Sequence, residues 1–406
     1  MPRSVKDLDL RGRRVFIRVD FNVPIKNGRI TDDTRIRASL PTIEYAIEQG
    51  AGTIILASHL GRPKGKPNPE YSLRPVATHL AELLGRPVRF EPDPAAGSPG
   101  QSSNPENVDA GSGRPDATRP DTGIVLLENL RFNPGEEKND PAFAAQLAAM
   151  ADVYVNDAFG SAHRAHASTE GIVRHMKEAG AGLLMAAEVE YLGRILEAPD
   201  RPFVAILGGA KVSDKLEVIQ NLIPRVDALL IGGAMAYTFF RARGLAVGRS
   251  LVEEDLLDAA REVEDQSRTR SLRFELPVDH VVAAKMEAGA PAETLDVDDP
   301  AIGDRMGLDI GPKTIERYRA IIRTAKTVSW NGPMGVFEID AFARGTIEVA
   351  RAIAEVGGTT VIGGGDSIAA VAKAGVTGRI THISTGGGAS LEFLGGRKLP
   401  GVVALG

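Results

Sequence analysis

Nine short, nearly continuous apolar runs constrain the fold of this chain more than any other sequence feature. They occupy residues 14–20, 53–58, 124–129, 152–157, 203–209, 228–233, 326–332, 359–365 and 381–388. Runs of this length and composition are typical of parallel strands that are buried on both faces. Segments with helical spacing lie between them, such as residues 35–50, where Gly50 stands at the position of a helix C-cap. The pattern predicts alternating strands and helices.

The chain length predicts two domains, because 406 residues exceed the size of one ordinary hydrophobic core. The predicted class is α/β, with two domains that are each a mainly parallel β-sheet flanked by helices, and with a cleft between them. Residues 183–200 read as an interdomain helix and hinge, since the helical pattern ends before Pro199. The N-terminal domain then covers residues 1–182 and the C-terminal domain residues 201–390. Residues 391–406 form a tail that could pack back on either domain, and we assign it to the N-terminal one.

Residues 92–122 differ in composition from the rest of the chain. Val108 is their only sizeable aliphatic residue, and Pro, Gly, Ser, Asn and Asp make up most of the remainder. Such a segment cannot bury enough apolar surface to offset the entropy lost on ordering. We therefore predict a mobile surface loop.

The overall composition excludes several kinds of protein. The chain has no cysteine, so disulfides, thiolate nucleophiles and Cys-ligated metals are excluded. A formal charge of −5 without a long Lys/Arg run argues against a nucleic-acid partner. No apolar run resembles a signal peptide or reaches membrane-spanning length, which predicts a cytoplasmic protein without a membrane partner.

Four apolar runs of the second half end in glycines that precede a helical pattern. The glycines stand at 208–209, 232–233, 363–365 and 386–388. One such turn is most simply a tight strand–helix connection. Several together, followed by Lys211, Lys215 and Asp366, favour a site where backbone N–H groups and helix N-termini bind a nucleotide or another polyphosphate.

Polar residues suited to anion binding collect at the strand ends of the first half. Each of them alone is more simply a solvated side chain or part of a structural ion pair. Because the carboxyl ends of parallel strands meet at one edge, together they predict a crevice for a small, strongly anionic molecule, such as a phosphorylated carboxylic acid. These residues are Asp20, Asn22, Arg35, His59, Arg62, Arg131 and Arg164.

The segment 155–169, VNDAFGSAHRAHAST, leaves its own chemistry open. His163 and His166 at this spacing could share a metal ion, or one could act as a general base with the other as its helper. Arg164 between them instead favours an anion, because a guanidinium repels cations and binds carboxylate or phosphate.

An anion site on one half and a polyphosphate site on the other predict phosphoryl transfer between two bound ligands. Mg²⁺ would be held by a carboxylate such as Asp366 together with the phosphates, and domain closure would exclude water. An NAD-dependent oxidoreductase is the alternative enzyme, but it would require a GxGxxG turn that the early strands lack. A binding protein without activity is a third hypothesis, which predicts substitutions at Arg35, Lys211 or Asp366. All three residues are present.

Nine strings of the sequence, in this order, closely resemble phosphoglycerate kinase. They are RVDFNVP, SHLGRP, LLENLRF, NDAFGSAHRAHAS, LGGAKVSDK, GLDIGPKT, WNGPMGVFE, GGGDS and STGGGASLE, and the resemblance runs from about residue 10 to the end. It implies reversible transfer of phosphate between 1,3-bisphosphoglycerate and ADP, giving 3-phosphoglycerate and ATP, in glycolysis and gluconeogenesis. It also implies Mg²⁺ as cofactor, ATP/ADP as substrate, a monomer, and hinge-type closure of the two domains. The composition of residues 92–122 departs from the family pattern.

The resemblance also implies a role for individual residues. Arg35 and Lys211 would be catalytic, and Asp366 would hold the metal. The implied 3-phosphoglycerate site in the N-terminal domain comprises Asp20, Phe21, Asn22, Arg35, His59, Leu60, Gly61, Arg62, Arg131 and Arg164. The implied nucleotide site in the C-terminal domain comprises Lys211, Lys215, Gly307, Asn331, Glu338, Gly364, Gly365, Asp366, Ser367, Gly386, Gly387 and Gly388. With Arg164 in an anion site, His163 and His166 would support that site rather than bind a metal.

Overall fold

The computed structural model describes residues 2–93 and 122–406, and the chain divides into two compact units. Unit 1 comprises Met1–Glu190 and Lys398–Gly406, and unit 2 comprises Tyr191–Arg397. Of the predicted tail, residues 391–397 therefore lie in unit 2 and residues 398–406 in unit 1. The loop predicted over 92–122 lies outside the described residues, apart from two residues at its start and one at its end.

Unit 1 is built on a six-stranded sheet with all strands parallel, in the order β5-β6-β4-β1-β7-β8. Its elements in chain order are β1 (Arg14–Arg18), β2 (Ile25–Lys26), β3 (Arg29–Ile30), α1 (Thr34–Glu48), β4 (Thr53–Ala57), α2 (Arg74–Leu84), β5 (Arg89–Glu91), β6 (Gly123–Leu127), α3 (Pro134–Glu137), α4 (Pro141–Ala149), β7 (Val153–Asn156), β8 (Ala179–Ala181), α5 (Leu183–Glu197), which continues into unit 2, and α13 (Pro400–Val403). Strands β2 and β3 form a separate antiparallel hairpin.

The inner strands of this sheet carry apolar side chains because helices cover both faces. All four residues of β7 are buried, and so are the last four of β1, β4 and β6. Turn chemistry sets the helix ends. Asp140 caps α4 by accepting a hydrogen bond from the Phe143 N–H at 2.8 Å, and Gly85 ends α2 in the left-handed conformation.

Unit 2 repeats the architecture with a second parallel sheet, in the order β11-β10-β9-β15-β16-β17. Its elements are β9 (Phe203–Leu207), α6 (Leu216–Leu222), β10 (Ala228–Ile231), α7 (Met235–Ala242), α8 (Leu257–Thr269), β11 (Arg273–Glu275), β12 (Asp279–Ala283), β13 (Ala292–Asp296), β14 (Met306–Ile310), α9 (Pro312–Ile322), β15 (Thr327–Asn331), α10 (Arg344–Ala354), β16 (Thr359–Gly363), α11 (Gly365–Lys373), β17 (His382–Ser384) and α12 (Gly388–Leu394). The predicted class, α/β with parallel sheets flanked by helices, is confirmed.

A three-stranded antiparallel sheet, in the order β13-β12-β14, is an addition that the sequence did not predict. Four of the five β13 residues are exposed, so this strand lacks the apolar run by which buried strands are recognised. The small sheet contributes β14 to the cavity described below. None of the helices in the described ranges is long and apolar enough to span a membrane.

Candidate functional site

The strand register of unit 1 brings four chain segments to one edge of the sheet. Arg18 at the end of β1 pairs with Ala57 of β4 and with Asn156 of β7, and Leu56 pairs with Leu126 of β6. The segments that leave these strands therefore lie side by side. They carry all of the residues predicted for the substrate site except Arg35, which lies in the first turn of α1.

Hydrogen bonds connect the residues at this edge. The Arg35 guanidinium lies 3.2 Å from the Asp20 carboxylate and donates to the Asn22 carbonyl at 3.3 Å. The Asn22 side chain accepts from the Gly61 N–H at 3.0 Å, and Arg131 donates to the Gly61 carbonyl at 2.8 Å. These bonds hold together the loops that follow β1, β4 and β6.

Four further predicted residues lie in the loops that follow β1, β4 and β7. Phe21 is buried and its N–H donates to the Ser58 hydroxyl at 2.8 Å, while the Leu60 carbonyl accepts from the Asn129 amide at 2.7 Å. Arg62 and Arg164 are exposed, which leaves their guanidinium groups accessible to a dissolved anion.

Positive charge dominates the electrostatics of this edge. The pKa of His59 is lowered well below 6.5, first by burial and then by the charges of Arg18, Arg131 and Arg35. The pKa of Arg131 is itself lowered, with burial as the largest cause. An anionic ligand would relieve this repulsion, so the site favours binding of carboxylate or phosphate.

The two histidines of segment 155–169 belong to this basic cluster. Arg164 donates through Nε to the His163 ring at 3.1 Å. His166 is buried, and burial followed by the charges of Arg131 and Arg18 lowers its pKa to about 3. Its neutral ring therefore forms no ion pair with Glu136, whose carboxylate lies 3.9 Å away. In residues 2–93 and 122–406, no group of three or more His, Asp or Glu side chains is arranged to hold a metal ion.

The register of unit 2 creates a corresponding edge from the ends of β9, β15, β16 and β17. Asn331 pairs with Leu207 and Gly363, and Gly363 pairs with Ser384. The glycine-rich segments that follow these strands are therefore neighbours. Gly364 has a φ of 91°, which an L side chain rarely adopts, and directly precedes the first residue of α11.

Lys215 and Ser367 link these segments. The Lys215 ammonium donates to the Asn331 side-chain oxygen, and burial lowers the pKa of Lys215 to about 8 despite the nearby carboxylates of Asp214 and Asp366. The Ser367 hydroxyl accepts from the Gly332 N–H at 2.7 Å. Asp366, in the first turn of α11, is exposed.

A cavity of about 680 Å³ opens beside this edge within unit 2. Among the predicted residues, Gly307, Glu338 and Asp366 line it. Its walls are largely apolar and include Tyr237, Leu251, Met286, Met306, Leu308 and Val336. Its size and walls suit the flat ring system of a small ligand.

Gly307 shows how closely the cavity wall is packed. A Cβ at this position would lie 1.5 Å from the Tyr237 hydroxyl oxygen, so any residue other than glycine would displace the Tyr237 ring. The same hydroxyl lies 2.8 Å from His280 Nδ1. Burial raises the pKa of Asp309, which also lines the cavity, to about 7.

Comparison with known proteins identifies the family. The phosphoglycerate kinase family model matches residues 5–397. This chain belongs to the phosphoglycerate kinase family. It is 58% identical over 403 residues to phosphoglycerate kinase of Rubrobacter xylanophilus, with 99% of this chain and 98% of the relative covered. It is 56% identical to that of Solibacter usitatus over 407 residues, with the same coverage.

The fold comparison agrees with this family. The solved structure of phosphoglycerate kinase from Coxiella burnetii matches with a TM-score of 0.88 at 42% identity, covering 100% of this chain and 99% of that one. The chain is accordingly a kinase, and the family acts on small-molecule substrates with ATP or ADP.

Several residues predicted from the phosphoglycerate kinase motifs lie outside the lining of the cavity. Lys211 is exposed, with Glu253 as a charged neighbour, and is not part of the cavity lining. Gly386, Gly387 and Gly388 lie beyond β17, also outside the lining. Arg18 was not among the predicted residues, although RVFIRVD places a charged residue inside an apolar run.

Proposed function

We propose that this kinase transfers a phosphoryl group reversibly between 1,3-bisphosphoglycerate and ADP on one side and 3-phosphoglycerate and ATP on the other. The observation that carries the proposal is the contrast between the two units. One presents a dense cluster of cations around a neutral His59, and the other an apolar cavity bordered by a buried lysine, an exposed carboxylate and glycine-rich helix starts. A small phosphorylated acid suits the first site, and a nucleotide suits the second.

In unit 1, the cationic edge would bind 3-phosphoglycerate. Arg62, Arg131 and Arg164 supply guanidinium donors for carboxylate and phosphate. Asp20 and Asn22 are the acceptor groups close to Arg35 and suit the substrate hydroxyl. The acceptor in ATP-dependent phosphorylation is a carboxylate, which is already ionised at pH 7. The step therefore needs no general base, and catalysis rests on positioning and charge stabilisation by Arg35.

In unit 2, the cavity would hold the base, and Glu338 on its lining would accept a ribose hydroxyl. Lys215 and the backbone N–H groups at Gly364, Gly365 and Ser367 would meet the phosphates, with Gly386–Gly388 supplying further donors. Lys211 is exposed, so its ammonium group can follow the phosphoryl group as it is transferred. That role would make it the second catalytic residue with Arg35.

Asp366 fits a magnesium ligand. It is an exposed carboxylate on the cavity lining, close enough to Lys215 to affect that group's pKa. Mg²⁺ is commonly bound by one or two carboxylates plus substrate phosphates and water, rather than by a cage of protein ligands. When bound, the ion would neutralise charge on the phosphates.

We further propose hinge-type closure about α5, the helix that contains the boundary between the units. Transfer requires two ligands held by different units to react directly while water is excluded. A rigid helix whose ends flex would allow this. We expect a monomer, as the family resemblance implies, and we retain the prediction of a cytoplasmic protein.

The decisive experiment is a coupled assay of ATP-dependent phosphorylation of 3-phosphoglycerate. We expect turnover with Mg²⁺, loss of turnover with EDTA, and loss with Lys211→Ala. Lys285→Ala is the matched control, because Lys285 is also exposed but lies outside both sites, and it should retain full activity. Folded protein that binds ATP without turning over 3-phosphoglycerate would contradict the proposal.

A further inference from the structure

A buried chain of hydrogen bonds lies behind His59 in unit 1. Its members are Glu136, Ser168 and Arg18, each with 0% of its surface exposed. Arg18 lies on β1, Glu136 on α3, and Ser168 in the loop after Arg164. None of the three was predicted from the sequence, and the proposed reaction assigns none of them a role.

The direction of each bond in this chain follows from its chemistry. The Ser168 hydroxyl donates to Glu136 Oε1 at 2.6 Å, and the Ser168 N–H donates to Oε2 at 3.0 Å. Arg18 Nε donates to the Ser168 hydroxyl oxygen at 2.8 Å. The Tyr154 hydroxyl donates to the Ser168 carbonyl at 2.8 Å and holds the loop in place. Ser168 is therefore oriented, with its one hydroxyl proton committed to Glu136.

Arg18 then determines the state of His59. A terminal N–H of Arg18 lies 3.2 Å from His59 Nδ1. A guanidinium has five donors and no acceptor, so Nδ1 must accept and cannot carry a proton. Burial and the neighbouring positive charges lower the pKa of His59 well below 6.5, so the ring holds one proton at neutral pH. That proton can only be on Nε2.

Burial of Arg18 depends on Glu136. A guanidinium with no exposed surface is costly unless a counter-charge and hydrogen bonds satisfy it. The Glu136 carboxylate supplies the counter-charge in this chain of hydrogen bonds. Burial raises the pKa of Glu136, and the positive charge of Arg18 opposes that rise. A second N–H group of Arg18 donates to the Val19 carbonyl. Bonds to Ser168 and to the Val19 carbonyl thus fix the guanidinium on two sides, and its remaining N–H group faces His59.

We propose that Arg18 is a positioning residue that holds His59 as the neutral Nε2–H tautomer, with Ser168 and Glu136 holding Arg18. His59 then offers an anionic substrate oxygen an N–H donor with no charge of its own. In a site crowded with Arg35 and Arg131, this adds a hydrogen bond without adding to the repulsion between cations. The substrate part of this inference rests on the proposed function, whereas the tautomer does not.

Long-range proton–nitrogen NMR of ¹⁵N-histidine-labelled protein tests the tautomer directly. The chain has seven histidines, and a His59→Asn variant identifies the signals of His59. We expect the Nε2–H tautomer at pH 7, unchanged down to pH 5.5. An Nδ1–H tautomer or a charged ring at pH 7 in the parent protein would overturn the proposal.

Substitution of Arg18 tests its positioning role. Arg18→Met should release the constraint, so that His59 shows a mixture of tautomers and its pKa rises towards 6.5. The KM for 3-phosphoglycerate should increase about tenfold or more, while the KM for ATP stays within about twofold. Arg14→Met is the matched control, since Arg14 lies on the same strand in an exposed ion pair with Asp152, and it should change neither property.

Ser168→Ala provides a second variant if Arg18→Met does not fold. It removes the hydroxyl that links Arg18 to Glu136 and leaves both charges in place, so it should give a smaller change in the same direction. An unchanged tautomer and an unchanged KM for 3-phosphoglycerate in a folded variant would overturn the positioning role. The Nε2–H tautomer in a protein without turnover would instead refute the proposed function and leave the tautomer assignment standing.

Discussion

Replacing Lys215 with methionine should make unit 2 more stable while impairing its nucleotide site. Lys215 is buried, and its ammonium group donates a hydrogen bond to the Asn331 side-chain oxygen. Burial lowers its pKa from 10.5 to about 8, so the folded unit holds the charged form at a cost. Methionine keeps most of the apolar stem and removes the charge. The free energy of unfolding of unit 2 should therefore increase when the ammonium group, which the nucleotide site needs, is removed.

The size of the effect follows from the pKa difference. The difference between a pKa of 10.5 in the unfolded chain and about 8 in the folded unit corresponds to about 3 kcal/mol. Leaving the Asn331 oxygen without its donor costs about 1 kcal/mol, so the expected net gain at pH 7 is about 2 kcal/mol. Between pH 8 and 10.5 the unfolded chain binds more protons than the folded unit, so parent stability rises with pH. The advantage of the variant should therefore be fully present at pH 7 and disappear as the pH approaches 10.5.

The single tryptophan makes the measurement specific. Trp330 is fully buried in unit 2, next to Asn331, so its fluorescence reports unfolding of this unit. Urea titrations at pH 7 and pH 9.5 would compare the parent, Lys215→Met and the control Lys211→Met. The control replaces an exposed lysine and should leave stability unchanged at both pH values. A loss of stability in Lys215→Met at pH 7, or a gain independent of pH, would refute the reasoning.

Three further outcomes are expected. In urea titrations, Asp157→Asn should stabilise unit 1 by about 2 kcal/mol at pH 7 and by nothing at pH 4. Burial raises the pKa of Asp157 to about 6, so the parent protein becomes less stable as the pH rises and the buried carboxyl group loses its proton. Gly307→Ala should raise the KM for ATP about tenfold or more and leave the KM for 3-phosphoglycerate unchanged, because the new methyl group collides with Tyr237 in the cavity wall. Equal changes in both KM values would argue against an effect confined to the cavity. Arg35→Lys should lower kcat about 100-fold in the coupled assay. An ammonium group cannot keep the guanidinium contacts with Asp20 and Asn22 and at the same time face the transferring phosphoryl group. A kcat within about twofold of the parent value would exclude a catalytic role.

The parts of the fold that could be predicted from the sequence are those in which one run of residues suffices. All nine apolar runs contain strands of the two parallel sheets, because burial on both faces leaves a continuous apolar signal. Strands β5, β8 and β11 were missed, since their sequences, RFE, AGA and RFE, contain no run of large apolar residues. The antiparallel sheet was missed because polar residues occupy much of β13.

The site shows the same limit. Glycine turns and strand-end arginines predicted that these residues lie together at one edge of each sheet, since topology alone places the ends of parallel strands together. Arg18, Tyr237 and His280 were not found, because their partners are distant in sequence: Arg18 meets Ser168, and Tyr237 meets His280. A hydrogen bond between residues about 40 or 150 positions apart leaves no local pattern. The role predicted for Glu338 came from the family motifs alone.

The last nine residues have a consequence for how the protein is made. Residues 398–406 belong to unit 1, where the Gly401 N–H donates to the Ala162 carbonyl at 2.9 Å, next to His163 and Arg164. A ribosome completes all of unit 2 before it releases the segment that closes unit 1. Unit 1 therefore stays incomplete while unit 2 is synthesised. The loop that carries Arg164 forms its contact with Gly401 only after that.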